Sequence, residues 1–330
     1  MAIVAGIDEA GYGPTIGPLV VTGVVFNVPD DYANKSIWHL LEDAVTKNVQ
    51  RVHKADSPQA NGSTERIVVD DSKKVYSSCG LKRIEDGALP FMWCLKGPIT
   101  SFLGLLKALS CYDVDVLNSY PWYVGKDLSL PIASNPLTIT NNVQLLTRTM
   151  AEKGVKLHGI RSVSVSTIEF NKQINLTCNK SLVLFQSCAK LLTAIWKKFG
   201  TRGPKVFVDK HGGRNKYHHL LSKAFHGCQI KTFKESEEIS TYEIKKFDRG
   251  MVVSFIEKAE DSHFPAALAS MYSKYVRELF IKLFNAYWQE KVPGLRPTAG
   301  YPLDAKRFLQ QIHGARNASE ISDQILIRKK

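Results

Sequence analysis

Two adjacent acids at the end of an apolar run constrain this chain more than any other feature. Ala2-Ile3-Val4-Ala5-Gly6-Ile7 reads as a short strand and runs straight into Asp8-Glu9. Ala10-Gly11-Tyr12-Gly13-Pro14 follows as a Gly/Pro-rich turn. After Gly17-Pro18, the β-branched run Leu19-Val20-Val21-Thr22-Gly23-Val24-Val25-Phe26 reads as a second strand. A strand, a glycine-rich turn and a second strand open an α/β or α+β sheet. Neighbouring strand residues point to opposite faces, so Asp8 and Glu9 can serve one site only where strand gives way to turn. Gly11 and Gly13 permit such a turn and let a ligand approach the backbone. An ordinary turn with solvated acids would use the same residues.

Further along, Ile37 to Val45 has helical spacing, and Ser57 to Thr64 reads as a surface loop. Ile67-Val68-Val69 leads into Asp70-Asp71-Ser72-Lys73-Lys74, a helix start. Helices are expected over 99–109 and 138–153, with loops at 121–123 and 128–136, so 90–160 reads as a large insertion or a small subdomain. Strands at 162–165, 204–209 and 251–256 are separated by a helix from Ser181 to Lys198. A last long helix over 264–289 shows its period in Ala266, Ala267, Met271, Val276, Phe280 and Phe284. There is no internal repeat or low-complexity tract. Strands alternating with helices point to a mixed α/β sheet, and 330 residues with 44% hydrophobic content suffice for a sizeable core.

The second strand-end acid is Asp209, ahead of the turn Gly212-Gly213. Open sheets place their sites at the carboxyl ends of strands, so Asp8, Glu9 and Asp209 form a candidate metal site. Glu278, on the last long helix, is a third source of a carboxylate, although a helical glutamate normally faces water. Lys+Arg 44 against Asp+Glu 31 leaves a formal charge of +13. That excess excludes an acidic disordered chain and suggests an anionic partner: nucleic acid, an anionic membrane surface or a phosphorylated substrate. No apolar run is long enough to span a bilayer, and the start lacks a basic n-region. The six cysteines are scattered with no CxxC pair, as expected of reduced thiols in a cytoplasmic protein.

Gly6-Ile7-Asp8-Glu9-Ala10-Gly11-Tyr12-Gly13-Pro14, followed by Gly17-Pro18-Leu19-Val20-Val21, resembles the opening motif of type 2 ribonucleases H (ribonuclease HII/HIII). Asp71-Ser72-Lys73-Lys74 resembles the Asp-Ser-Lys-Lys segment of that family. In order come Ser166 to Asn171 with the helix after it, Val206-Phe207-Val208-Asp209, and Ala266 to Glu278, similar to a small-residue helix ending Ala-Lys-x-x-Arg-Asp. Gly300-Tyr301-Pro302 resembles its Gly-Tyr motif. Lys258-Ala259-Glu260-Asp261 stands where the family has Lys-Gly-Asp, with Asp261 and Ser262 expected to cap the next helix. The matches cover about 1–26, 67–85 and 160–312.

The resemblance implies a ribonuclease H-like α/β fold, a central mixed β-sheet flanked by helices. It implies one catalytic domain over 1–330, with insertions about 28–66 and 90–160 and a helical C-terminal region about 262–330 beside the active site. The implied activity is endonucleolytic hydrolysis of the RNA strand of RNA/DNA hybrids by two Mg²⁺ or Mn²⁺ ions. Incision of DNA at embedded ribonucleotides belongs to the same family. Asp8, Glu9, Asp209 and Glu278 are the implied catalytic and metal-binding acids, Glu278 standing where the family usually has Asp. Gly11, Tyr12, Gly13, Lys73, Lys74 and Tyr301 are the implied substrate-binding residues. The family turn is usually Gly-Arg-Gly or Gly-Lys-Gly; here Tyr12 replaces the cation, so hybrid cleavage is expected ahead of cleavage at a single ribonucleotide. The glycine backbones that contact 2′-hydroxyls are retained.

Lys210, His211, Arg214, Asn215 and Lys216 crowd the turn after Asp209, where phosphate contact is attractive; His211 itself reads as a polar loop residue. Trp122 and Tyr123 read as packing residues of the insertion. A monomer is expected. Two other readings of the same residues are a hybrid-binding relative without turnover, and another ribonuclease H-fold nuclease acting on branched DNA.

Overall fold

The two opening apolar runs pair with each other. β1 (Ala2–Ala10) and β2 (Leu19–Val28) form an antiparallel hairpin in register from Ala2 opposite Val28 to Ala10 opposite Val20. The structure is a computed structural model that describes residues 1–32, 35–47, 66–110 and 117–329. β5 (Lys156–Val165) lies antiparallel on the outer side of β2, and β6 (Lys205–Asp209) lies parallel on the other side of β1. β9 (Arg249–Ile256) is parallel to β6, and β8 (Ile239–Lys246) and β7 (Gln229–Glu235) complete the edge antiparallel. The result is a mixed seven-stranded sheet of order β5-β2-β1-β6-β9-β8-β7. A separate two-residue pair joins β3 (Val45–Thr46) to β4 (Ile67–Val68).

The described helices are α1 (Ile37–Leu40), α2 (Ser72–Lys96), α3 (Phe102–Ala108), α4 (Pro136–Glu152), α5 (Thr167–Thr177) and α6 (Lys180–Phe199). After them come α7 (His218–Ala224), α8 (Ala259–Ser262), α9 (Phe264–Lys291), α10 (Pro302–Gln311), α11 (His313–Ala318) and α12 (Asp323–Leu326). Strand alternation divides the core. Ile3, Ala5 and Ile7 of β1 pack toward α5, α6 and α7, whereas Val4 packs toward α9 and α2. Each face of the sheet is covered by helices, the architecture the sequence leads one to expect.

α9 crosses β1 at very short range. A Cβ at Gly6 would lie 2.1 Å from the Ala266 nitrogen and 2.3 Å from the Pro265 carbonyl carbon, so only glycine fits there. Ala266, Ala267, Ala269, Ser270 and Ser273 make the matching small face of α9, all buried. Long stretches of sheet and helix backbone therefore hold the site rigidly.

The segment 90–160 packs into this same core. Glu85 of α2 is fully buried and accepts from the backbone nitrogens of Ile132 (2.7 Å), Ala133 (2.8 Å) and Ser134 (2.8 Å) and from the Tyr275 hydroxyl (2.8 Å). Four donors compensate the buried carboxylate and pin the loop to two helices. Trp122 and Tyr123 are buried as packing residues, Trp122 edge-on to Phe284 at 5.1 Å. Three expectations need correction. The strand expected at 162–165 begins at Lys156, the helix expected at 37–45 stops at Leu40, and the β7–β8 hairpin had no counterpart in the sequence reading. The loop expected at 57–64 lies outside the described residues, as does Cys111; the five described cysteines are free. Among the described residues, no helix is long and apolar enough to cross a membrane.

Candidate metal centre

Asp8 and Glu9 do not meet by turning. β1 continues to Ala10, still paired with β2, so the two side chains leave on opposite faces. What ends is β6: its ladder with β1 stops at Ile7 opposite Val208, and Asp209 is its last residue. Both acids bend around the strand edge that β6 leaves open. Carboxylate oxygens of Asp8, Glu9 and Asp209 all lie within 4.8 Å of one another. Asp8 Oδ1 also accepts from the Glu9 nitrogen at 2.6 Å, and Asp209 Oδ1 accepts from the Ala259 nitrogen at 3.2 Å.

A further acid, Glu260, lies beside these three, while Glu278 is not among the carboxylates that converge there. β9 lies beside β6 with Ile256 opposite Asp209, and Lys258 turns left-handed (φ 56°) to start α8. That turn brings Glu260 toward the three acids. Glu260 is 9% exposed, and its Oε2 is buried with no hydrogen-bond partner. Burial and the nearby Asp209 push its carboxyl up to about 7. Burial, Asp209 and Glu260 push Glu9 up to about 8. Burial, then Asp209, Glu9 and Glu260, hold Asp8 well above the carboxylate range, and burial raises Asp209 as well. Three converging carboxylates, with a fourth beside them that carries an orphaned buried oxygen, fit a hard divalent cation of the Mg²⁺ or Mn²⁺ kind.

Glu278 serves elsewhere. Its carboxylate accepts from Lys274 Nζ (2.8 Å) and the Tyr76 hydroxyl (3.3 Å). On the same helix it is Ser273 that touches Asp8, its Oγ donating to the Asp8 carbonyl at 3.0 Å. Five residues on, Glu278 is displaced by about 7.5 Å along the axis. Glu260 stands at the acid position of the segment resembling Lys-Gly-Asp, one residue before Asp261. Asp261 instead pairs with Lys74 (2.6 Å), and α9 has His263 at its N-cap with no side-chain cap bond.

The remaining expected residues divide around this centre. Lys73 projects to the acids: Asp71, Glu260, Asp8 and Asp209 raise its ammonium, outweighing burial. Lys74 is engaged by Asp261 and by Asp70 at 3.6 Å. Gly11 is left-handed (φ 89°), and a Cβ there would lie 2.5 Å from the Pro18 carbonyl oxygen. Exposed Gly13 faces the half-exposed Tyr301, whose Cε1 would be 3.9 Å from a Cβ at Gly13. The 300–301 segment is tied to this turn by Thr15 N donating to Gly300 O at 2.7 Å. Tyr12 lies within electrostatic reach of Glu9 and Arg214, with Lys180 Nζ 5.0 Å above its ring. His211 is no polar loop residue. It is 2% exposed, packed edge-on to Tyr217 and Phe255, and burial drives its imidazole down to about 3.

No family model and no curated protein matches the sequence. Among solved structures, the chain is similar to RNase HII from Archaeoglobus fulgidus, solved as a PCNA:RNase HII complex, at 14% identity and TM-score 0.42, covering 99% of this chain and 94% of that one. Bst-RNase HIII in complex with Mn²⁺ gives 13% identity and TM-score 0.42, covering 99% and 66%. The ribonuclease H2 from Pyrococcus horikoshii OT3 gives 13% and 0.40, covering 98% and 92%. These likenesses assign no role to a residue.

Proposed function

We propose that this protein is a metal-dependent endonuclease that hydrolyses the RNA strand of RNA/DNA hybrids. The observation that carries the reading is the convergence of Asp8, Glu9 and Asp209 at the open end of β6, with Glu260 beside them, its buried Oε2 without a hydrogen-bond partner. Asp8, Glu9, Asp209 and Glu260 would hold two Mg²⁺ or Mn²⁺ ions. Those ions supply a water acidic enough to attack near neutral pH and positive charge for the departing 3′-oxygen. The chain's own groups do the rest. Lys73 offsets the negative cluster and faces the position of a substrate phosphate. The open turn at Gly11–Gly13, with Tyr301 against it, offers backbone donors and a ring to a ribose, where the 2′-hydroxyl distinguishes RNA from DNA. Tyr12 brings no cation to that turn, which supports hybrid cleavage ahead of incision at a single embedded ribonucleotide.

The test is a labelled substrate panel with Mg²⁺ or Mn²⁺: a long hybrid, a duplex with one ribonucleotide, all-DNA duplex and a four-way junction. The parent is expected to cut the hybrid, and Asp8→Asn to abolish cutting. Glu260→Gln should lower the rate roughly 100-fold, about 2.7 kcal/mol of transition-state stabilisation, whereas Glu278→Gln should stay near the parent. No metal-dependent cut of the hybrid overturns the proposal. Salt-sensitive hybrid binding without cleavage makes the protein a binder only, and preference for the junction makes it a different nuclease.

A further inference from the structure

Beside the acids, on the Glu9 face of the sheet, lies a solvent-open cleft of about 450 Å³ that the reaction leaves unused. Tyr12 forms one wall, Ser181 at the start of α6 another, and the loop from His211 to Lys216 the third. We propose that this cleft is a phosphate subsite, taking one backbone phosphodiester of the nucleic-acid strand that passes through the metal centre. The inference rests on the nuclease reading and deepens it.

The cleft is a built site rather than a loose loop. Lys210 Nζ donates to Asn215 Oδ1 (2.7 Å) and to the Ser236 carbonyl (2.5 Å), and Ser240 Oγ donates to the Asn215 carbonyl (2.6 Å). The His211 nitrogen donates to the Tyr217 hydroxyl (3.0 Å), and Tyr217 is stacked on Phe255 at 3.6 Å. Onto this frame the cleft presents donors and no carboxylate. Arg214 uses Nε and Nη2 on Ser181 Oγ (3.3 and 2.7 Å), and Nη1 has no partner among the described residues. Lys216 is exposed at the rim. His211 borders the cleft and is 2% exposed, its ring held against Phe185, Tyr217 and Phe255, which fixes the loop that carries Arg214. A guanidinium with a free edge is the side chain best suited to a phosphate.

Placement selects a strand phosphate. Tyr12 lines the cleft two residues after Asp8-Glu9-Ala10, and its hydroxyl lies within electrostatic reach of both Glu9 and Arg214. A phosphodiester in the cleft and one at the acids would belong to the same strand, on either side of the Tyr12 ring. The cation missing from the Gly11–Gly13 turn is thereby replaced from the loop after β6.

The experiment uses the full chain carrying Asp8→Asn, binding a hybrid in which one phosphate of the RNA strand at a time is an uncharged methylphosphonate. Adding Arg214→Gln should weaken binding to the unmodified hybrid about 10-fold and make the slope of log K against log salt shallower by about 0.9, one phosphate's share. At a single position near the acids, the methylphosphonate should cost the same as Arg214→Gln, and the two losses should not add. Arg214→Lys should restore the slope. A penalty that is absent, or equal at every position, overturns the subsite. So does a position-independent loss reproduced by Ser181→Ala, which would make Arg214 a brace for α6. Should the arginine variant not fold, Lys216→Gln at the rim carries the same position test. Inorganic phosphate alone raising Tm in an Arg214-dependent way, with no position effect on the hybrid, would assign the cleft to free phosphate and overturn strand contact. Failure of the nuclease reading looks different: the parent then cuts no hybrid in any metal.

Discussion

At the scale of single residues, surroundings decide what a carboxylate does. Glu85 is fully buried yet compensated by four donors, and its role is to fasten a loop. Asp8, Glu9, Asp209 and Glu260 have one another for neighbours, and each binds its proton more tightly than an isolated acid. The folded, metal-free protein therefore holds more protons than the unfolded chain between the ordinary value of 4.5 and about 8 for Glu9. Stability from this source is full below that window and falls as pH rises through it. Asp8→Asn removes one repelling charge while keeping an acceptor for the Glu9 nitrogen. In chelator, its Tm should exceed the parent's by a margin that widens from pH 5 to pH 8, reaching about 2 °C for ~1 kcal/mol. Added Mg²⁺ should reverse the order by stabilising only the parent. A margin that does not grow with pH would show that these acids do not repel one another in the folded state.

At the scale of elements, β1 and α9 act as one unit because their backbones touch. Alanine at Gly6 would drive a methyl into the peptide between Pro265 and Ala266, and neither partner has a side-chain rotamer with which to yield. Gly6→Ala should cost about 3 kcal/mol or more, read as a lowered urea midpoint or loss of soluble protein, while Ala2→Gly at the strand's other end should cost far less. Legibility also varied by element. β1, β2 and α9 announced themselves because each buries a continuous or periodic set of apolar residues. The β7–β8 hairpin did not: β7 is almost wholly exposed, and β8 buries only alternate residues, Ser240 and Tyr242 among them. A solvated edge strand such as β7, with Gln229, Lys231, Lys234 and Glu235 around an exposed Phe233, has no buried apolar face to read. The burial of His211 is illegible in sequence for a related reason, since Phe185 of α6, Phe255 of β9 and Tyr217 of its own loop enclose it.

At the scale of the whole molecule, one sheet separates two cores, and β1 and β2 contribute alternate residues to both. Neither core can be lost while the other keeps its strands. Calorimetry should show a single endotherm whose calorimetric and van't Hoff enthalpies agree, with 90–160 melting along with the rest; two transitions would mark that segment as a separate unit. The net charge of +13 acts at this scale too, as a field that gathers a polyanion around a centre that is itself acidic. What the sequence determined by itself was local: an apolar strand ending in two acids, a turn that needs glycine, and the alternation that sends Asp8 and Glu9 to opposite faces. The tertiary structure alone decided how those two still meet, by ending β6 one residue past Val208, and which distant acid joins them. Glu260 and Glu278 are both strand-flanking or helical glutamates in sequence. Their surroundings differ because α9 is fixed on β1 by Gly6 and holds Glu278 against Lys274 and Tyr76, while β9 is fixed beside β6 and sets Glu260 near Asp209. Short-range pattern encodes which face a side chain takes; only packing sets the distance between residues far apart in the chain.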